Sequence, residues 1–275
     1  MRLIDVEHLG RPRVIGCWQV GDVLVDPGPE SSVQRVIHAL GGEAPRALLL
    51  THIHLDHAGG AGTLCRRWPD LEVYVHERGA PHLADPARLL ASAAQLYGDR
   101  MERLWGEVAP VPHHNLRPLA GGEEVFGLEV AYTPGHASHH VCYLHRESGR
   151  AFVGDVAAVR IPPSDYVIPP TPPPDIDLDA WESSLEAVAA WEPRSLGLTH
   201  FGEIEDPEPH LELVRRRLRE QADLAGRTDS DEFARHVERE ARQRAGESAE
   251  ALMQAVPPEQ QWAGLDRWRR KREQS

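Results

Sequence analysis

Four side chains able to bind a metal ion fall within six positions of this chain: His52, His54, Asp56 and His57, in the stretch Thr51-His52-Ile53-His54-Leu55-Asp56-His57-Ala58-Gly59-Gly60. In an extended segment side chains alternate, so His52 and His54 face one way and can grip one ion. Asp56 and His57 are adjacent, so they share a target only where the chain bends. A bend there would turn them toward a second point beside the first. An isolated histidine is usually a surface residue or a hydrogen-bonded core residue. Three of them with an aspartate, packed this tightly behind a buried strand, would repel one another if protonated. They would also be costly to bury without a cation. The stretch therefore points to metal binding.

The elements that must position these groups are legible nearby. Ala47-Leu48-Leu49-Leu50 reads as a buried strand, and Gly59-Gly60 breaks the pattern and permits close backbone approach. Two further histidines and an aspartate follow apolar, strand-like runs. His136 ends Thr133-Pro134-Gly135-His136 after Leu128–Tyr132, Asp155 ends Phe152-Val153-Gly154-Asp155, and His200 ends Leu196-Gly197-Leu198-Thr199-His200. His52-x-His54-x-Asp56-His57 resembles the HxHxDH signature of the metallo-β-lactamase superfamily of dinuclear metallohydrolases. The family pattern also requires a later His, Asp and His, each at a strand end, and the resemblance runs through roughly the first three-quarters of the chain.

That resemblance implies an α/β fold, an αββα sandwich of two mixed sheets flanked by helices. It covers residues 1–208, and the change to a strongly charged, helical composition marks 209–275 as a C-terminal helical extension. It implies one metal site from His52, His54 and His136, a second from Asp56, His57 and His200, and Asp155 as the bridge. Imidazole and carboxylate donors suit zinc, with manganese or iron also possible. Two ions about 3.5–4 Å apart can share a water and bring its pKa from about 15.7 toward about 7. The bridging hydroxide would then attack a carbonyl or phosphoryl centre, with Asp56 shuttling the proton to the leaving group.

Composition narrows the partner. The net charge of −13 argues against nucleic acid, which draws on Lys and Arg. No apolar run approaches the ~20 residues of a membrane helix, and the N-terminus carries acids where a signal peptide would be apolar. Cys17, Cys65 and Cys142 are odd in number and widely spaced, which suggests buried thiols in a reducing cytoplasm. The expectation is a cytoplasmic enzyme for a small molecule, with a homo-oligomer allowed because Trp262 and Trp268 need an apolar surface.

Elsewhere, Val14–Val20 and Val23–Val25 flank a Gly21-Asp22 turn as a hairpin. Asp26, just after it, is either a carboxylate holding a ligand histidine or an ordinary turn residue. Ser31 or Ser32 could cap a helix through Leu40. Residues 86–105 read as a helical insertion broken near Gly98, its stripe serving as core or as cleft wall. His113-His114 reads as a solvated loop. His139 and His140 read as donors to the ligands or as substrate contacts. The proline-rich Ile161–Pro174 is a rim or a stiff connector, and Asp179 is placed to cap a helix over Ala180–Trp191. Arg215–Arg217 and Arg269–Arg272 read as solvated helix faces.

The favoured substrate is a small ester-like acyl compound, a lactone or thioester. A phosphodiester, a β-lactam, sulfur dioxygenation at a single iron, and a non-catalytic metal-stabilised scaffold are the alternatives. Some lactonases carry Tyr three residues after the bridging Asp. That position is Ala158 here, which leaves Tyr166 as a possible replacement, and no basic glutathione-binding set is recognisable in the tail.

Overall fold

Alternation along each short apolar strand decides which layer a side chain enters. A computed structural model describes residues 1–274 and contains two six-stranded mixed sheets. The first runs in the order β1 (Arg2–Asp5), β2 (Gly16–Val20), β3 (Val23–Val25), β4 (Ala47–Leu49), β5 (Glu72–His76), β6 (Leu116–Leu119). Its first three strands are antiparallel and β3 to β6 are parallel. The second uses β7 (Glu124–Val125), β8 (Leu128–Tyr132), β9 (Val141–His145) and β10 (Arg150–Phe152). A ribbon of β11 (Val159–Arg160) and β12 (Val167–Ile168) stands apart, and β13 (Ser195–Leu198) and β14 (Gly202–Ile204) complete the second sheet in the order β14-β13-β10-β9-β8-β7.

Val23, Val25, Ala47 and Leu49 of the first sheet meet Val130, Val141, Tyr143 and Phe152 of the second in one buried layer. Their neighbours Leu24 and Leu48 point the other way, toward Val33, Val36, Ala61 and Leu64 on the helices Val33–Ala39 and Ala61–Arg67. Cys142 and Leu144 likewise leave the second sheet for Trp181, Leu185 and Val188 of the helix Leu178–Ala190, and for Leu211 and Val214 of the helix Pro207–Ala225. The expected helix–sheet–sheet–helix layering is the result.

The last helices, Ser230–Ala245, Ala249–Ala255 and Pro258–Glu273, pack on the body. Their Phe233, Val237, Leu252 and Leu265 join one apolar cluster with Ile161, Tyr166 and Ile168. Trp262 packs on that cluster and donates its Nε1–H to the Thr228 carbonyl at 3.0 Å, while Trp268 packs on the cluster beside the second sheet. Both tryptophans therefore find apolar surface within their own chain. Cys17, Cys65 and Cys142 are free and buried, and burial pushes the Cys65 and Cys142 thiols up to about 12.

Several local expectations change. Asp177, not Asp179, caps the helix Leu178–Ala190, because it sits in extended backbone just before the first turn and accepts from the Asp179 and Ala180 amides. Neither Ser31 nor Ser32 makes a side-chain capping bond to the helix Val33–Ala39, and the Ser31 hydroxyl donates to the Leu104 carbonyl instead. Arg217 does not lie on a solvated face: its guanidinium is buried, pairs with Glu240 and donates to the Tyr166 hydroxyl at 2.6 Å. Tyr166 is thereby held under the C-terminal helices, with Arg217 and Arg244 over its ring, so it does not replace an oxyanion donor. Among the described residues no helix is long and apolar enough to cross a membrane.

His210 gives this packing a pH dependence. It is 5% exposed, and its Nε2–H donates to the Ala157 carbonyl at 2.8 Å. Burial lowers its pKa to about 4, against 6.5 ordinarily. The unfolded chain therefore takes up this proton first, so the contribution is complete above pH 6.5 and is lost as pH falls toward 4, to the extent of roughly 3 kcal/mol. His210→Gln should flatten the stability–pH curve between pH 6.5 and 4 relative to wild type in denaturant titrations. Parallel curves for the two proteins would count against it.

Candidate metal centre

Five of the seven residues named from the sequence lie beyond a strand end, Asp56 and His57 sit in a short helix, and all seven converge. Leu50 to His54 continue beyond β4, and Leu55–Ala58 forms one short helical turn that swings Asp56 and His57 back toward the strand end. His136 follows β8, Asp155 follows β10 and His200 follows β13. His52, His54 and His136 form one cluster of donor atoms, and Asp56, His57 and His200 form another. Asp155 lies between them. Its Oδ2 is 3.3 Å from His136 Nε2, and its Oδ1 is 3.2 Å from His57 Nε2 and 3.7 Å from His200 Nε2.

Hydrogen bonding behind the rings fixes which nitrogen faces inward. Asp26, wholly buried, accepts from the Thr51 amide at 2.8 Å, the Thr51 hydroxyl at 2.7 Å, the Thr199 hydroxyl at 3.0 Å and His57 Nδ1–H at 2.8 Å. It is therefore the carboxylate behind a histidine, not a plain turn residue. The Thr51 hydroxyl, already donating to Asp26, accepts from His52 Nδ1–H at 3.0 Å. His136 Nδ1–H donates to the Pro170 carbonyl at 2.9 Å and His200 Nδ1–H to the Val14 carbonyl at 2.6 Å. The Nε2 atoms of His52, His57, His136 and His200 are left as lone pairs pointing into the site.

Those lone pairs meet other acceptors. His52 Nε2 and His136 Nε2 stand 3.0 and 2.9 Å from His54 Nδ1, which has at most one proton to offer. His57 Nε2 and Asp155 Oδ1 are buried without a hydrogen-bond partner. Buried acceptors gathered in this way are unstable without positive charge among them. The residues therefore fit two divalent cations.

The electrostatics divide the imidazoles into two groups. Burial lowers His52 well below its ordinary range, with His57 adding to the effect, and lowers His54 to about 4. Burial also acts to lower His57 and His200. The carboxylates overcome it, Asp155 and Asp26 raising His57 well above the usual range and Asp56 and Asp155 raising His200. Burial acts to raise Asp155, but His57 and His136 hold it well below the carboxylate range.

Two further supports stand at Asp155, one of them His140, read from the sequence as a support or a substrate contact. His140 Nε2 accepts from the Asp155 amide at 3.3 Å while its Nδ1–H donates to the Thr133 hydroxyl at 3.0 Å, so this ring braces Asp155 from behind. The intervening Gly154 has φ +46°, and a Cβ there would lie 2.6 Å from Thr51 Oγ1 and 2.7 Å from His140 Nε2. His139 stacks beside His52 and lines the cleft, and Ala158 is packed in the core away from it. His113 and His114 are exposed in a turn away from the site.

His54, Asp56, His136 and Asp155 line a cleft of about 270 Å³, while His52, His57 and His200 are buried. Leu89, Ala93, Leu96 and Tyr97 from the helix Ala87–Tyr97 make one wall, and Pro170 and Pro172–Pro174 make another. The C-terminal residues Ala255, Pro257, Gln260 and Gln261 close a third side. The insertion is thus a cleft wall and the proline-rich segment a rim. That rim is clamped from outside: the Thr171 amide donates to Gln261 Oε1, and the Thr171 hydroxyl to the Gln261 carbonyl at 3.2 Å.

The family model described as the metallo-beta-lactamase superfamily matches residues 21–194. Curated relatives include a probable metallo-hydrolase of Bacillus subtilis, 33% identical over 49% of this chain and 60% of that protein. A hydroxyacylglutathione hydrolase of Hamiltonella defensa is 35% identical over 44% of this chain and 47% of that protein. The chain thus spans only about half the length of these two relatives. Among solved structures, an archaeal metallo-beta-lactamase superfamily protein from Sulfolobus tokodaii is 26% identical, with a TM-score of 0.64 over 75% of this chain and 81% of that one. The chain belongs to the metallo-β-lactamase superfamily.

Two substitutions probe the supports behind the rings. Asp26→Asn removes the charge that orients His57 and should weaken metal binding about 10- to 100-fold, the usual effect of losing such a partner. Competition with a chromogenic chelator measures it, and unchanged affinity would contradict the role. Gly264→Ala would drive a Cβ to 2.0 Å from the Thr171 carbonyl, displacing the strap that holds Pro170 against His136. The expected result is weaker binding of one ion with the other retained, read as a split in the same competition curve.

Proposed function

We propose that this protein is a metal-dependent hydrolase of a small ester-like acyl substrate, most simply a lactone or thioester. The observation that carries the reading is the convergence of seven candidate donors, four of which, His54, Asp56, His136 and Asp155, line a cleft with largely apolar walls. His52, His54 and His136 would hold one ion, Asp56, His57 and His200 the other, and Asp155 both. Bound divalent ions, with zinc best suited to this donor set, would supply Lewis acidity and a water that ionises near neutral pH.

The chain's own groups do the rest. Asp26, the Pro170 carbonyl and the Val14 carbonyl hold three imidazoles in one tautomer and orientation, so no reorganisation is needed during reaction. The apolar walls exclude bulk water and seat an acyl chain. Asp56 has 21% of its side chain exposed and lines the cleft. It is the group that moves a proton from the attacking water to the leaving group. The name of the Hamiltonella defensa relative, a hydroxyacylglutathione hydrolase, agrees with acyl chemistry.

The test is a panel of lactones, thioesters, β-lactams and phosphodiesters with metal-loaded wild type, His52→Ala and Asp56→Asn. Acyl substrates should turn over, and Asp56→Asn should lower kcat by about 100-fold or more. Elemental analysis should find two ions per chain, falling in Asp155→Ala. Turnover of phosphodiesters alone would replace the acyl reading. Activity surviving in both variants would remove the metal mechanism.

A further inference from the structure

We infer that the substrate carries a negatively charged group, bound at the cleft mouth by Arg78 and Arg88. The inference rests on the acyl-hydrolase reading above and narrows it. Both arginines line the same cleft as the metal-site donors, and both are exposed. Arg88 has no ion-pair or hydrogen-bond partner among the described residues, and the Arg78 guanidinium donates only to the Tyr132 hydroxyl at 2.9 Å while lying over that ring. The Tyr132 hydroxyl in turn donates to the Ser138 carbonyl, which fixes the ring that carries Arg78.

Position and chemistry agree. Arg88 starts the helix face on which Leu89, Ala93 and Leu96 follow, so one face runs from a cation to an apolar wall. The first turn of that helix has no acidic residue to neutralise Arg88. Asp175 also lines the cleft, but it accepts from the Ser138 hydroxyl and pairs with neither arginine. In a chain of net charge −13, two cations without carboxylate partners at the mouth give an anion a local attraction there. Guanidinium groups bind carboxylates and phosphates in bidentate fashion, whereas a neutral lactone leaves both arginines unused. The arrangement fits a substrate whose apolar acyl part lies along the wall and whose anionic part stays at the mouth.

The experiment compares the butyryl thioester of 3-mercaptopropionate with that of 2-mercaptoethanol, alike in acyl group and unlike in charge. It also measures binding of the two corresponding thioethers, which lack the carbonyl and cannot be hydrolysed. Metal-loaded wild type should favour the anionic member of each pair about 10-fold or more, as expected for a charge-assisted contact. The preference should shrink near 1 M salt, where screening acts within about 3 Å. Arg88→Gln and Arg78→Gln should each reduce it, leaving binding of the neutral thioether within about 2-fold. Arg88→Gln is the cleaner variant because Arg88 has no structural bond to lose. Equal binding of the two thioethers, or a preference untouched in both variants, would overturn the anion subsite. Anion-selective binding without turnover of either thioester would uphold the subsite and sink the hydrolytic reading alone.

Discussion

A single buried carboxylate, Asp26, constrains the whole active end of this molecule. It accepts hydrogen bonds from two threonines that directly precede candidate metal donors, Thr51 before His52 and Thr199 before His200, and from His57 itself. A charge at zero exposure is tolerated only if its lone pairs are satisfied. Satisfying them draws together the end of β4, the short helix Leu55–Ala58 and the end of β13. Those segments come from both sheets, so the bonds to Asp26 set the relative placement of the two halves as well as the aim of the rings.

Around that point the two sheets act as a rigid frame, and later parts of the chain finish the site. The proline-rich segment contributes a carbonyl to His136 and a wall to the cleft, and proline lowers the entropy lost in holding an irregular segment still. The C-terminal helices press on it through Gln261 and Gly264. They share an apolar cluster with the body, so the stability of the tail and the geometry at His136 are linked through one strap. Strong acidity overall and a guanidinium pair at the cleft mouth are compatible because screening confines each field to about a Debye length.

What the residues determined by themselves was local. The HxHxDH spacing implied that His52, His54, Asp56 and His57 act together, and the apolar runs before His136, Asp155 and His200 marked strand ends, because side-chain periodicity is a property of the chain alone. The hairpin around Gly21-Asp22 and the helical break near Gly98 followed from the same local rules. The two-layer arrangement was implied by resemblance, since nothing in Ala47–Leu50 says which of its identical-looking leucines faces the other sheet.

Only the tertiary structure decided the supports. The role of Asp26 depended on a threonine 173 positions away, and that of Pro170 on a histidine 34 positions before it. The sequence left Asp26 undecided between turn residue and carboxylate support, because both readings share one local pattern. Arg217 reads as one of three solvated arginines, yet the fold buries it against Tyr166 and Glu240, since which face of a charged helix is covered depends on what packs there. Asp179 is the cap the sequence pattern suggests, but the backbone gives that role to Asp177 by placing it in extended conformation just before the first turn. His140 and Arg88 carry no local signature of what they face. Local pattern encodes the period and the ends of elements, while partners far apart in sequence become neighbours only when the layers close.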